Sequence, residues 1–276
     1  MEYRIVADSG CDLSKELKEQ MDIALVPLTI NIDDQIFTDD QNLDIKELMY
    51  AMKNSKNHIR TSSPSPVDFM KEYEKTDNVF VVTLSSKLSG TYNSAIIAKN
   101  TMLESTEKFI HVFDSLNASI GETLVAMKIF ELIQNKCEKL EIIDKVEQYI
   151  DGMKTFFILE SLDNLIKGGR MSKLAGYIAS ALSIKPIMCG DKGAIRLYEK
   201  VRGSKRAFNR LVEIIGEQGL NLEDRVLGIA HCNALKQAED LKEKIKERYN
   251  FKDIILIEMA GLTTTYADDG GIVIAF

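Results

Sequence analysis

The stretch "VFVVTLSSKLSGTYNSA" (residues 79–95) decides the fold. Its first part, "VFVVTL", is a short β-branched and aromatic run of the kind that makes a buried strand. Its second part replaces apolar residues with hydroxyls and one glycine, the composition of a helix entry; we read Ser89 as the cap, with Gly90 behind it. A strand that delivers its carboxyl end straight into a helix is half of a β-α-β unit. Outward from this junction, "YRIVA", "IALVPLTI", "FIHVF", "TFFIL", "RVLGIA", "IILIEM" and "GIVIAF" repeat the strand pattern, with helical periodicity between them. The alternation predicts an α/β protein.

The intervening helices are legible from their faces. "LDIKELMYAMK" aligns Ile45, Leu48, Met49 and Met52, with Asp44 and Glu47 placed to cap the start. "ALKQAEDLKEKI" does the same through Leu235, Ala238, Leu241 and Ile245. The charged helical stretch "CEKLEIIDKVEQYIDGMK" (137–154) reads as a connector, so the expected division is 1–150 and 151–276.

Whole-chain properties exclude several classes of function. The 276 residues are 45% hydrophobic and 28% charged, which fits a folded globular protein. A net charge of -7 is wrong for a general nucleic-acid or anionic-membrane surface, both of which need a basic excess. Cys11, Cys137, Cys189 and Cys232 are far apart with no C-x-x-C pair, so neither a zinc site nor a disulfide framework is suggested. The N-terminus "MEYRIVADSG" lacks the basic and apolar regions of an export signal, and the longest charge-free apolar tract is too short to span a bilayer. The expectation is a cytoplasmic protein with reduced thiols, no metal and no stable membrane insertion.

Several N-terminal segments finish in the same chemistry. "IVADSG" gives Asp8 and Ser9, "IRTSSPSP" gives Thr61, Ser62 and Ser63, "VVTLSSKLSG" gives Ser85, Ser86 and Ser89, and "HVFDSLNAS" gives Asp114 and Ser115. In an open parallel sheet such corners share one rim, where ligands bind. Ser65 with Pro66 behind it reads as another helix start. Helix N-termini favour an anion such as a carboxylate or phosphate; each corner taken singly is better explained by capping alone, and it is their alignment that favours the anion.

A second polar cluster follows. "LDNLIKGGRMSKLAG" predicts a helix that stops at Gly168-Gly169 and throws Arg170 outward, with Lys167 and Lys173 nearby; Arg202 and Lys205 in "EKVRGSKR" add charge. An anion or partner-docking edge and a solvated basic face both fit. For catalysis by a hydroxyl nucleophile the sequence offers only His58, His111 and His231 as bases, with no G-x-S-x-G elbow. An acyl hydrolase or transferase using Ser89 or Ser62 stays an alternative. Further on, "LAGYIASALSIKPIMCG" predicts an apolar helix of small residues running into a strand. Such a helix either packs closely on the sheet or leaves a slot beside it, and a slot closed by hydroxyls would take an amphipathic anion.

Several of these motifs, in this order, resemble the DegV family, whose members serve as fatty-acid-binding subunits of bacterial fatty acid kinase. The resemblance runs through "DSGCDLS", "TSSPSP", "LSSKLSGTYNSA", "DSLNASIGE", "LDNLIKGGRMS" and "SIKPIM". It implies two α/β domains, the first mainly a parallel sheet with flanking helices and the second mixed, with one acyl chain buried between them. It implies no cofactor beyond the bound long-chain fatty acid, whose carboxylate is held by Thr61, Ser62 and the Ser89-Gly90-Thr91 corner. It also implies a partner, an ATP-dependent fatty acid kinase, faced by Arg170 and Arg202, so that the chain alone is not an enzyme. One departure stands out. The family ends in His-x-Gly-Pro-Gly, whereas this chain reads "TYADDGG", with Tyr266 at the histidine position and Asp268-Asp269 at Gly-Pro. A phenol donates a hydrogen bond but carries no positive charge at neutral pH, and carboxylates pointing inward would repel an anionic head. Altered kinase coupling, or a different amphipathic anionic lipid, is the expectation attached to that departure.

Overall fold

The computed structural model describes residues 3–171 and 184–276. The chain opens with β1 (Arg4–Asp8), α1 (Lys15–Met21), β2 (Ala24–Val26), β3 (Thr29–Ile32), β4 (Gln35–Thr38), α2 (Ile45–Asn54) and β5 (Arg60–Ser62). Then come α3 (Pro66–Tyr73), β6 (Asn78–Thr83), α4 (Thr91–Leu103), β7 (Phe109–Asp114), α5 (Ile120–Gln134) and α6 (Lys139–Gly152). The remainder is β8 (Thr155–Ile158), α7 (Asp163–Lys167), β9 (Ile184–Asp191), β10 (Ala194–Arg202), α8 (Ser204–Gln218), β11 (Val226–His231), α9 (Leu235–Arg248), β12 (Asp253–Glu258), α10 (Gly261–Ala267) and β13 (Ile272–Ala275). Most of the expected small-residue helix, at 174–183, lies outside the described residues.

The fold is α/β, as the strand-helix alternation predicts. A parallel sheet of order β2-β1-β6-β7 forms from the N-terminal half, and a mixed sheet of order β10-β9-β8-β13-β11-β12 forms from the C-terminal half. A small antiparallel sheet, β4-β3-β5, stands apart from both. "IALVPLTI" was expected as one strand and is two. Pro27, which has no N–H for a ladder, separates β2 in the parallel sheet from β3 in the small one. The strands β4 and β10 carry no continuous apolar run because both are largely uncovered, and nothing in their sequence announces them.

Alternation assigns the layers. In β1 and β6, Val6, Val79 and Val81 pack with Phe69 and Tyr73 of α3 and Ala95 and Ala98 of α4. Their neighbours Ile5, Ala7, Phe80 and Val82 point the other way, onto Leu124, Val125 and Ile129 of α5. The same cluster continues into Phe157, Ala230 and Ala275 of the second sheet, so α5 is covered on both sides. A helix sandwiched in this way is apolar nearly all round, which its buried run from Ile120 to Ala126 reflects. The far face of the mixed sheet, with Phe156, Ile229 and Ile274, is closed by α8 and α9. In α9, Ala238, Leu241 and Ile245 are buried as expected, but Leu235 is half exposed at the first turn.

Candidate functional site

Between the carboxyl ends of the parallel strands and the second sheet lies a cavity of about 920 Å³, open solvent at its mouth included. The wall is mostly apolar: Leu28 and Leu84 come from the first sheet's rim, Phe157 and Val273 from β8 and β13, and Met259 and Leu262 from the entry to α10. Among the described lining residues are Thr61, Ser89, Arg170 and Tyr266, which come from four separate segments, and Arg170 is the one charged side chain among them.

Each of these side chains has a local reason for its place. Thr61 sits on β5, registered opposite Ile30, and the chain then turns into α3 through Ser65. Ser65 and Asp68 form a reciprocal capping box, with Pro66 at the first helical position as expected. Tyr266 lies in the last turn of α10, and its hydroxyl is 2.8 Å from Thr61 Oγ1. Arg170 follows α7, whose left-handed exit is at Gly169 with φ 75°. The arginine does not swing outward as the sequence suggests. Its Nη1 donates to Gly168 O at 2.7 Å and its Nε to Leu88 O at 3.0 Å. With those two bonds made, the guanidinium is drawn in over the Tyr266 ring, 5.5 Å from its centroid, and Nη2 approaches Thr61 Oγ1 at 3.4 Å.

The result is a charged fork beside two hydroxyls at the mouth of an apolar cavity. A guanidinium keeps its charge at physiological pH and presents donors matched to a carboxylate or phosphate. Ser89 faces the same space and is steadied by Thr91, whose Oγ1 is 2.8 Å away and whose N–H donates to Ser89 Oγ at 3.3 Å. The cap position of α4 belongs to Gly90, not to Ser89, although the Ser89 hydroxyl still accepts from the first-turn Thr91 N–H while lining the cavity. Thr91 itself is fully buried behind it.

The other expected residues are placed elsewhere. Ser62 is exposed beside Thr61 and does not line the cavity, and Arg202 is exposed at the end of β10. Thr61 reaches the site from the small antiparallel sheet, so the hydroxyl corners do not all share one parallel rim. None of the three histidines lines the cavity: His231 is buried in its strand, its Nδ1 accepting from Ala234 N, and His58 is exposed. Asp268 and Asp269 also stay clear of it. Asp269 accepts from Asn233 Nδ2 at 2.8 Å, and the Asp268 carboxylate accepts from the Asp269 N–H.

Behind the rim, Asp8, Ser9, Ser85 and Asp114 are consumed by the scaffold. Asp8 accepts from Gly10 N and Leu84 N, both at 2.8 Å, and Ser9 accepts from Leu28 N at 3.0 Å. Ser85 donates to Gly193 O, fastening the β9-β10 turn to the first sheet, and Asp114 accepts from the Ser86 and Leu116 amides. Burial pushes Asp8 up to about 7 and Asp12 up to about 6, against the lowering effect of their hydrogen bonds. Sequence reasoning missed the polar wall residues Asn117, Ser119, Thr155 and Thr263. Asn117 and Ser119 stand inside the quoted "HVFDSLNAS", but only the strand end marked that stretch out. Among the described residues no group of His, Cys, Asp or Glu is arranged to hold a metal ion, and no helix is long and apolar enough to cross a membrane.

Residues 2–276 match the family model described as an uncharacterised protein, DegV family. The chain belongs to the DegV family. A DegV domain-containing protein of Streptococcus pyogenes is 36% identical over 280 residues, covering 100% of this chain and 99% of the relative. A DegV protein of Ruminococcus gnavus, refined with vaccenic acid, is 38% identical, with a TM-score of 0.94 and 99% of each chain covered. The fatty acid kinase B3 protein of Streptococcus pneumoniae, loaded with linoleic acid, is 32% identical with a TM-score of 0.91, covering 100% of this chain and 99% of that one. A DegV protein of Eubacterium eligens loaded with heptadecanoic acid is 29% identical with a TM-score of 0.92, covering 99% of each chain.

Proposed function

We propose that the protein binds one long-chain fatty acid, with the tail in the apolar cavity and the carboxylate at Thr61, Ser89, Arg170 and Tyr266. The observation that carries this reading is a mostly apolar cavity in which Arg170, the one charged side chain among the described lining residues, stands against the hydrogen-bonded Thr61 and Tyr266 hydroxyls. The DegV relatives that hold vaccenic, linoleic and heptadecanoic acids support it. Burial of a hydrocarbon tail supplies affinity at about 0.8 kcal/mol per CH₂, while the guanidinium fixes which end enters last. On this reading the protein is a non-catalytic carrier in the cytoplasm. It presents the carboxylate to an ATP-dependent fatty acid kinase, with Arg170 and the exposed Arg202 facing the partner. The two units 1–150 and 151–276 are the walls that meet over the tail.

Among the described residues no histidine lines the cavity with Ser89, which disfavours a histidine-activated hydrolase. Mass spectrometry of an organic extract from the purified protein tests the proposal. Fatty acid near one equivalent supports it, whereas an empty extract or a lipid without a free carboxylate rejects it.

A further inference from the structure

Tyr266 reaches Thr61 from a helix of only seven residues, too short to hold its own direction. The first N–H groups of a helix have no partner within it, and Ala260 at the cap position offers none. Here they are taken by two carboxylates from the other half of the chain. Asp39, after β4, accepts from Gly261 N through Oδ1 and from Leu262 N through Oδ2, both at 2.9 Å. Asp12, after β1, accepts through Oδ1 from Ala260 N and from the Thr263 hydroxyl, both at 2.7 Å. Asp12 and Asp39 are 0% and 5% exposed, so water does not compete for these bonds. The fit is tight: a Cβ at Gly261 would lie 2.6 Å from Asp39 Oδ1 and 2.2 Å from Leu43 Cδ2. Only glycine lets the carboxylate come this close.

We infer that Asp12 and Asp39 are positioning residues of the head-group site, clamping the start of α10 from the N-terminal half and thereby fixing where Tyr266 and the wall residue Leu262 stand. Neither carboxylate lines the cavity; both act through the helix. The inference rests on the fatty-acid reading for its functional consequence, but the clamp itself is a property of the chain alone.

The two acids differ in a way that a simple structural role does not predict. The Asp12 Oδ2 contact is the Ser119 hydroxyl at 2.6 Å, which can accept as well as donate, so an asparagine amide there finds a partner. Both Asp39 oxygens receive backbone N–H groups, so an asparagine at 39 sets its NH₂ against an amide hydrogen. The test measures cis-parinaric acid binding by fluorescence for the native chain, Asp12→Asn, Asp39→Asn, Tyr266→Phe and the Asp39→Asn/Tyr266→Phe double variant. Hydrogen exchange over residues 260–267 is followed without ligand.

Asp12→Asn should stay within about twofold of native affinity, whereas Asp39→Asn should weaken binding roughly tenfold and speed exchange in that segment. The double variant should bind less weakly than the product of the two single losses requires, because Asp39 acts partly through Tyr266. Gly261→Ala, which presses on the same carboxylate from the helix side, should reproduce the Asp39→Asn signature if that variant does not fold. Equal effects of the two asparagine variants, fully additive losses, or faster exchange with unchanged affinity would each overturn the inference. If the native chain takes up no parinarate, the fatty-acid reading has failed, and the exchange measurement still decides the clamp: native protection in Asp39→Asn and Gly261→Ala rejects it.

Discussion

At the cavity mouth, Thr61 is hydrogen-bonded to Tyr266 and approached by Arg170, Ser89 is bonded to Thr91, and Thr61, Ser89, Arg170 and Tyr266 all line the cavity. A layer deeper, Asp8, Asp12 and Asp39 direct both carboxylate oxygens at donors of the protein itself. The mouth residues sit on β5, after β6, after α7 and in α10, whereas Asp8 ends β1 and Asp12 and Asp39 follow β1 and β4. The difference is that the deeper loops leave backbone N–H groups with no other partner once water is excluded, so their acids are spent as scaffold.

The largest effect that can break this comparison is on the scaffold side. Asp8→Ala strands two buried amides, and unfolding in urea should show a loss of roughly 3 kcal/mol or more. Thr61→Val at the mouth should stay within about 1 kcal/mol. Similar losses at both positions would erase the distinction.

The pH dependence of stability comes next. Asp8, at about 7, and Asp12, at about 6, have been raised by burial above the ordinary unfolded value of 3.8. Between those limits the folded state holds protons that the unfolded state has released. Stability should therefore be greatest near the unfolded value and fall as pH rises through 6 and 7, by up to about 1.4 kcal/mol per unit for each group. Urea midpoints at pH 5 and pH 7.5 measure the slope, and a rise in stability over that interval would contradict the buried-acid account.

On the ligand side, Arg170→Ala removes the mouth's fixed charge, and fatty-acid affinity should fall about 30-fold, near 2 kcal/mol, with the urea midpoint little changed. Loss of fold without loss of affinity would move Arg170 from the site to the scaffold. The smallest effect concerns Glu122, which is fully buried, has no hydrogen-bond partner for either carboxyl oxygen among the described residues, and is pushed well above the ordinary range by burial and by Asp8. As a neutral acid it is mimicked by glutamine, so Glu122→Gln should alter stability at pH 7 by less than about 1 kcal/mol. A larger loss would show that its charge is used.

How far the sequence discloses this molecule depends on how local each signal is. The buried strands announce themselves, because a strand covered on both faces is apolar throughout, as "VFVVTL" is. The capping of α3 by Ser65 and Pro66 is equally local. Thr61, Ser89 and Tyr266 come from motif order, and their convergence is a tertiary fact that no spacing encodes. Arg170 shows the limit most plainly: the Gly-Gly exit is visible, but its inward turn depends on carbonyls at Leu88 and Gly168. Asp12 and Asp39 lie more than 200 residues from the helix they clamp, and in sequence they look like ordinary loop acids.

The most direct test of the central claim is a competition measurement of oleate against methyl oleate on the native protein, with the same displaced probe. The two ligands share a tail and differ only in whether the head bears a charge. The geometry at Arg170, Thr61 and Tyr266 predicts that oleate binds at least about tenfold more tightly. Equal affinity would mean that the mouth does not read the carboxylate and that the cavity recognises hydrocarbon alone.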